Sequence, residues 1–231
     1  MPSTTEASAP ALMLQGKSSG GYPHRPVNGP ALVALDIAGP PDAWVALGLT
    51  VADEVAQLGE VTLRFGFEGE GIVGWALRGA DGPGELDGLR TLWLPRPVTP
   101  SAPTDHKLGA GTVDHVVVRS PDPRRTFACF EGAGLILRRE REAGSTECPL
   151  VQGFFRHGEA VVEVVGPRKV ADDGPSALWG LTLVVADLDA AFARLGDALG
   201  PPRVAVQPGR RIAPARPSLA LGVAVALITP E

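Results

Sequence analysis

An α+β fold of repeated β-α-β-β-β units is what this 231-residue chain predicts. Three observations carry it. Residues 114–135, DHVVVRSPDPRRTFACFEGAGL, and residues 179–200, WGLTLVVADLDAAFARLGDALG, have nearly the same phrasing. Each reads as an apolar strand, a Pro/Asp turn and an amphipathic helix closed by glycine, and a repeat at fixed spacing constrains architecture more than any single motif. Each copy is then followed by further short apolar runs separated by turn residues, the pattern of strands.

The middle unit is the clearest. A strand over 113–119 puts His115, Val117 and Arg119 on one face and Asp114, Val116 and Val118 on the other. The turn Ser120-Pro121-Asp122-Pro123 starts a helix, with a capping residue ahead of proline at the first helical position. Phe127, Phe130 and Ala133 form its apolar stripe, and Gly132 and Gly134 end it. Strands are expected over 135–141, 150–157 and 160–165, the last two joined by a tip at His157-Gly158-Glu159. In the third unit a strand over 181–185 leads to a helix capped by Asp187. Its stripe, Leu188, Ala191, Phe192, Leu195 and Leu199, has spacings of three and four. Strands follow over 203–206, 211–215 and 221–228, with turn chemistry at 207–210. The first unit is a degenerate version: a strand over 31–37, a short helix over 40–47, and strands over 61–67, 72–78 and 89–94. The expected organisation is a Pro/Gly/Ser-rich disordered leader over 1–30, the degenerate unit over 31–94, a linker over 95–112, and paired units over 113–231 (113–167 and 177–230).

Composition excludes several classes of function. A hydrophobic fraction of 44% and a charged fraction of 20% are those of a soluble globular chain. A net charge of −5, with no basic run, argues against nucleic acid as a partner. No apolar stretch reaches the ~18 residues of a membrane span, and the first 30 residues lack the pattern of a signal peptide. Two cysteines, Cys129 and Cys148, make no disulfide framework. The expected location is cytoplasmic. There is no Gly-x-Ser-x-Gly elbow, no phosphate-binding P-loop and no Cys-x-x-Cys pair, and GEGIVG (69–74) falls between strands instead of ahead of a helix.

Glu163 is the most informative residue. A carboxylate in the middle of the strand AVVEVV costs several kcal/mol if buried without a partner. It therefore forms an ion pair with an arginine such as Arg119 or Arg211, acts in ligand binding or acid–base chemistry, or ligates a metal. Its face holds positions 161 and 165. His115 is either a structural hydrogen-bonding group or the acid–base partner of Glu163. Arg119, two residues on, is placed to clamp a carboxylate or phosphate, or to neutralise Glu163. Gln152, Phe154 and Arg156 share one strand face, so Gln152 and Arg156 are candidates for the cleft wall. Arg210 and Arg211 sit at a hairpin, where solvated charge is the ordinary outcome. Trp179 is expected to pack in the core, with a cleft wall as the alternative. His106 and His157 are expected to be exposed.

This pattern resembles the vicinal oxygen chelate superfamily, which includes the glyoxalase I, bleomycin-resistance, fosfomycin-resistance, methylmalonyl-CoA epimerase and extradiol dioxygenase families. The resemblance is good over 113–230 and weaker over 31–94. It implies that two units pair and curve around a cleft. In metal-dependent members one ligand comes from a unit's first strand and another from its last, and the matching positions here are His115 and Glu163. The third unit departs from that pattern, since its matching positions are Gly180 and Ala226, which cannot ligate. The resemblance thus leaves two alternatives, one divalent ion (Zn, Fe, Mn or Ni) on His115 and Glu163 or a metal-free cleft. It implies a glyoxalase-like protein doing lyase- or isomerase-type chemistry on a small oxygenated molecule. Glu163 would be the base, His115 and Arg119 would stabilise developing charge, and Gln152, Arg156 and Arg211 would complete a substrate site. The alternative is a non-catalytic protein that sequesters a small molecule, as bleomycin-resistance relatives do. With the middle and third units paired, the first would leave a sheet uncovered, and a homodimer is expected to cover it.

Overall fold

A computed structural model describes residues 29–79, 81–95, 104–156, 158–170 and 172–231. The expected leader up to residue 28, most of the linker's first half, and His157 lie outside the described residues. Numbering in chain order, the first segment contains β1 (Ala31–Ala38), α1 (Asp42–Leu47), β2 (Val55–Leu58), β3 (Val61–Phe67), β4 (Ile72–Arg78), β5 (Glu85–Leu86) and β6 (Leu89–Leu94). The middle unit is β7 (Ala110–Arg119), α2 (Pro123–Gly132), β8 (Leu137–Gly144), β9 (Pro149–Arg156) and β10 (Val161–Pro167). The third is β11 (Ala177–Val185), α3 (Leu188–Leu195), β12 (Arg203–Val204), β13 (Arg211–Pro214) and β14 (Ala224–Ile228).

The two repeated helices begin with the same chemistry. Asp122 Oδ1 accepts from the Arg125 amide at 3.2 Å ahead of Pro123, and Asp187 Oδ1 accepts from the Ala190 amide at 2.9 Å. Each cap satisfies one orphan amide of its helix and fixes where the chain leaves the preceding strand. The units then join in an eight-stranded sheet, β12-β13-β14-β11-β7-β10-β9-β8. Within each unit the last strand runs parallel to the first (β10 with β7, β14 with β11), and the two first strands meet antiparallel at the centre. The repeated β-α-β-β-β fold is thus realised as two units joined through their first strands.

The first segment forms its own six-stranded sheet, β2-β3-β1-β4-β6-β5. Its pairing follows the same logic in shorter form. β1 is parallel to β3, β4 is parallel to β6, and β1 meets β4 antiparallel. Each half is therefore one strand short of its counterpart in the larger sheet, and the half beginning at β4 reaches β5 with no helix between.

The main core spans both sheets, with a small second cluster of Val33, Ala34 and Ala76 in the smaller one. The main core contains Leu35, Leu63 and Trp75 from the smaller and Val116, Phe130, Phe155 and Leu183 from the larger. Trp75 packs on Phe130 at 5.5 Å between ring centroids, and Phe130 on Phe155 at 5.3 Å. Aromatic pairs in such geometry add about 0.5–1.5 kcal/mol beyond area burial. One polar tie is Asp87, in the turn between β5 and β6, beside the Glu60 amide donating to Glu159 and Arg194 donating to the Leu47 carbonyl. Asp87 Oδ1 accepts from Arg125 Nε at 2.7 Å, and its Oδ2 accepts from the hydroxyls of Thr126 at 2.5 Å and Ser176 at 2.7 Å. The larger sheet packs against the face of the smaller one that was expected to be left uncovered. His106 is likewise not exposed as expected. It is 7% accessible, its Nδ1 accepts from the Thr50 amide at 2.9 Å and its Nε2 lies 2.8 Å from the Gln57 carbonyl. It is a structural link between 104–109 and the smaller sheet.

Candidate functional site

The helices and the smaller sheet occupy one face of the larger sheet, where Val116, Val118, Val162, Val164, Leu181, Leu183, Val225 and Leu227 are buried. The opposite face forms a cleft of about 1510 Å³, lined entirely by residues from 112 onward. Strand register brings the site together. His115 on β7 pairs with Val161 on β10, which pairs with Arg156 on β9. Two residues along, Val117, Glu163, Phe154 and Arg139 form the next row, and Arg119, Val165, Gln152 and Arg141 the next. Residues in one row share a face, so Glu163 and His115 line the same wall.

Glu163 is held by an amide. Gln152 Nε2 donates to Glu163 Oε1 at 2.5 Å, and Arg141 Nε donates to Gln152 Oε1 at 2.6 Å. A guanidinium only donates, so the orientation of the Gln152 amide is determined, and the oxygen it meets on Glu163 must accept. Glu163 Oε2 has no hydrogen-bond partner among the described residues. Arg141 also lies over the Phe154 ring at 5.3 Å, which holds its stem down on the sheet.

His115 is held at both ring nitrogens. Nδ1 lies 2.7 Å from Asp114 Oδ2 and Nε2 lies 3.1 Å from Thr182 Oγ1. Asp114 Oδ1 in turn meets Arg210 Nη1 at 2.6 Å, and Arg210 Nε donates to the Thr229 carbonyl at 2.7 Å. Burial pulls the His115 pKa down, but the Asp114 hydrogen bond and the charges of Glu163 and Asp114 outweigh it and raise the value above the ordinary 6.5. Burial alone would raise Asp114, yet its contacts with His115 and Arg210 bring it below the ordinary 3.8.

The structure thus brings together Glu163, His115, Gln152 and Arg156 of the expected site. Arg119 and Arg211 fall elsewhere. Arg119 sits beyond the cleft wall, 5.9 Å over the Trp179 ring, and does not neutralise Glu163. Arg211 pairs with Asp189 of α3 at 2.8 and 3.0 Å, away from the cleft, and its neighbour Arg210 is the arginine that enters. Trp179 is a cleft wall, 41% exposed, and not a core residue. Asp114, Thr182 and Arg141 were not singled out from the sequence, and Arg210, expected to be solvated, is instead 4% exposed and held by Asp114.

Two irregularities explain the misplaced side chains. Between β7 and β11 the register runs His115↔Thr182 and then Val113↔Leu183, so Asp114 is an extra residue with no partner. Likewise Val118↔Leu178 is followed by Val117↔Gly180, which leaves Trp179 extra. An extra residue in one strand re-aims its side chain. Asp114 and Trp179 both turn onto the cleft face, against the two-residue period.

The donor set does not fit a metal centre of the kind the resemblance implies. A catalytic divalent ion takes about three protein ligands and an open position. Both His115 nitrogens and one Glu163 oxygen already have partners, and no three His, Cys, Asp or Glu side chains among the described residues could hold an ion together. The parallel registers of the two units run alike. His115 lies opposite Val161 as Gly180 lies opposite Ala224, which puts Ala226 where Glu163 stands. A Cβ on Gly180 would collide with the Ala224 carbonyl oxygen, so no side chain fits there without a shift of the backbone.

Comparison with known proteins supports the fold. A mutant of 4-hydroxymandelate synthase from Streptomyces coelicolor matches 88% of this chain and 93% of its own, at 13% identity and a TM-score of 0.56. Methylmalonyl-CoA epimerase from Mycobacterium tuberculosis matches 53% of this chain and 90% of its own, at 21% identity and a TM-score of 0.42. The Streptomyces coelicolor epimerase in complex with 2-nitronate-propionyl-CoA matches 52% of this chain and 94% of its own, at 18% and 0.41. The synthase match spans both sheets of this chain. At such identities the likeness concerns fold and leaves activity open. No family model and no curated protein matches the chain. Among the described residues, no helix is long and apolar enough to cross a membrane.

Proposed function

We propose that this protein catalyses metal-independent proton transfer of the lyase or isomerase type on a small oxygenated molecule bound in the cleft. The observation that carries the reading is the Glu163 carboxylate, anchored through Oε1 by Gln152 on the wall it shares with His115. An anchored carboxylate with a second oxygen available suits a general base. Glu163 removes a proton from the carbon beside a carbonyl, and the electron pair moves onto the carbonyl oxygen. His115, favoured in its charged form by Asp114 and Glu163, stabilises that oxygen. Return of the proton to the same carbon or a neighbouring one completes an isomerisation with no change in oxidation state.

The test is exchange of carbon-bound hydrogen in D2O, followed by proton NMR across 2-oxo acids, thioesters and hydroxyketones. Protein-dependent exchange in one of these classes, lost in Glu163→Gln, is the expected result. Exchange in none of them, or exchange unchanged in Glu163→Gln, overturns the reading. A second reading, sequestration without chemistry, is favoured by the third unit's wall, where Gly180, Ala224 and Ala226 offer no titratable group. Tight binding without exchange in any class would select it.

A further inference from the structure

Both ring nitrogens of His115 are taken, Nδ1 by Asp114 Oδ2 at 2.7 Å and Nε2 by Thr182 Oγ1 at 3.1 Å. The imidazole therefore reaches a molecule in the cleft through the threonine. Thr182 stands on β11 in the row that pairs it with His115 on β7 and with Ala226 on β14, while Leu181 and Leu183 on either side of it are buried on the opposite face. It lines the cleft, and among the described residues its hydroxyl has His115 as its one hydrogen-bond partner.

A hydroxyl has one proton and two lone pairs, so the direction of the His115–Thr182 hydrogen bond follows from the state of the ring. Asp114 is ion-paired with Arg210 at 2.6 Å and accepts, so Nδ1 carries a proton whether the ring is neutral or charged. In the neutral ring Nε2 is a lone pair, and Thr182 spends its proton on it. In the charged ring Nε2 carries a proton too and donates to Thr182 Oγ1, which releases the hydroxyl proton. The nearest residues on that face of β11 and β14, Gly180, Ala224 and Ala226, have no side-chain acceptor to take it, so it is available to a ligand. Burial and Arg210 work against charge on the ring, while the Asp114 hydrogen bond and the charges of Glu163 and Asp114 work for it and prevail. Arg156 stands two strands away in the same row.

We propose that Thr182 is a catalytic residue: its hydroxyl, accepting from His115, donates its own proton in a hydrogen bond to the substrate carbonyl oxygen as Glu163 removes the proton from the adjacent carbon. The proposal rests on the proton-transfer reading of the same cleft and adds the group that meets the oxygen. The electron pair of the broken C–H bond moves onto that oxygen, no bond of the threonine breaks, and return of the proton from Glu163 restores the starting state. Glu163 and Thr182 are two strands apart and two residues out of row. With strands about 4.8 Å apart and about 3.4 Å per residue, their backbones lie roughly 12 Å apart. That span accommodates the two side chains with a carbon–carbonyl fragment between them.

The test compares Thr182→Val with Thr182→Ser by hydrogen exchange in D2O and by NMR titration of His115. Thr182→Val should lower kcat for exchange about 100-fold with KM little changed, as loss of one oxyanion donor does, and Thr182→Ser should stay within about threefold of wild type. Thr182→Val should also lower the His115 midpoint, because the charged ring loses its acceptor. A hydroxyl that donated to the neutral ring would have the opposite sign, and its removal would raise the midpoint. If Thr182→Val does not fold by circular dichroism, Thr182→Ala makes the same test. Exchange indifferent to loss of the hydroxyl, or a midpoint that rises or stays, overturns the proposal and leaves Glu163 as base if Glu163→Gln still abolishes exchange. Absence of exchange in the wild-type protein overturns the proton-transfer reading and the catalytic role of Thr182 with it, and the midpoint then reports separately whether the hydroxyl accepts from the ring.

Discussion

In the smaller sheet, Arg64 on β3 meets Asp36 on the adjacent parallel strand β1 at 2.6 Å, and its guanidinium lies over Phe67 at 5.9 Å. In the larger sheet, Glu163 on β10 stands beside the parallel strand β7 and meets the amide of Gln152, with Arg141 one residue further back. The two places are topologically alike, a last strand next to a first. One holds a charge cancelled by direct contact, and the other a charge held in place but not cancelled. The smaller sheet, one strand short in each half, uses its pair to close its structure. The larger spans a cleft and keeps its carboxylate available. On the proton-transfer reading proposed above, the carboxylate with the neutral anchor is the working one and the carboxylate paired directly with arginine is structural.

The sharpest way to break this comparison is to neutralise both carboxylates. Glu163→Gln should reduce proton exchange by roughly 10²–10⁴-fold, the usual worth of a general base, with a change in stability below about 1 kcal/mol. Asp36→Ala should do the reverse, leaving exchange unchanged while destabilising the fold by about 3 kcal/mol, because it strands Arg64 half-buried without its partner. Exchange rates and urea unfolding on both variants decide it. A large stability loss in Glu163→Gln with none in Asp36→Ala would invert the assignment.

The next effect is at the junction of the sheets. Asp87→Ala removes acceptors from Arg125, Thr126 and Ser176 together and should cost about 2–4 kcal/mol. Asp87 also holds a left-handed backbone, φ 51°, a conformation that a residue without a hydrogen-bonding side chain adopts less readily. Because the core is shared, urea unfolding should remain one transition at a lower midpoint. Two separated transitions in the variant would show that the sheets are stable independently and that this tie only docks them.

How far the sequence reveals each sheet follows from the same difference. In the larger sheet, strand–helix phrasing is repeated and both helices carry their caps, Asp122 and Asp187, so the unit boundaries are local features. Gln152 and Glu163 could be placed on cleft-facing strands by parity. Their contact could not, since it depends on the antiparallel register of β9 and β10, where Gln152 pairs with Val165 and Phe154 with Glu163. Asp114 and Trp179 were assigned wrongly because each is the extra residue of a bulge, and alternation has no signal for that. Arg210 and Arg211 differ by one residue and face opposite ways, so a hairpin register decides which enters the cleft. The short strands of the smaller sheet, β2 with four residues and β5 with two, leave too few alternations to be read from pattern.

The smallest expected effect, and the most specific, concerns pH. The Arg64–Asp36 pair of the smaller sheet has no histidine beside it, so the titration of His115 itself reports on the larger sheet's site. His115 has its pKa raised in the folded protein, so its charged form contributes stability that is fully present below its unfolded value, near 6.5, and is lost as pH rises through the higher folded value. Asp114 has its pKa lowered, so its contribution is present above its unfolded value, near 3.8, and is lost as pH falls through the lower folded value. The pair therefore stabilises most between those limits. In an NMR titration His115 should show a midpoint above 6.5 in the wild-type protein. Asp114→Asn removes the carboxylate charge and leaves at most a neutral acceptor for the ring, so burial and the Arg210 charge are opposed mainly by Glu163, and the midpoint should fall. Glu163→Gln should lower it by less, because Glu163 acts through charge without a hydrogen bond to the ring. A midpoint indifferent to Asp114→Asn would mean that the Asp114–His115 contact does not set the charge of the imidazole, and the developing oxygen charge would then have to be met by the cleft arginines instead.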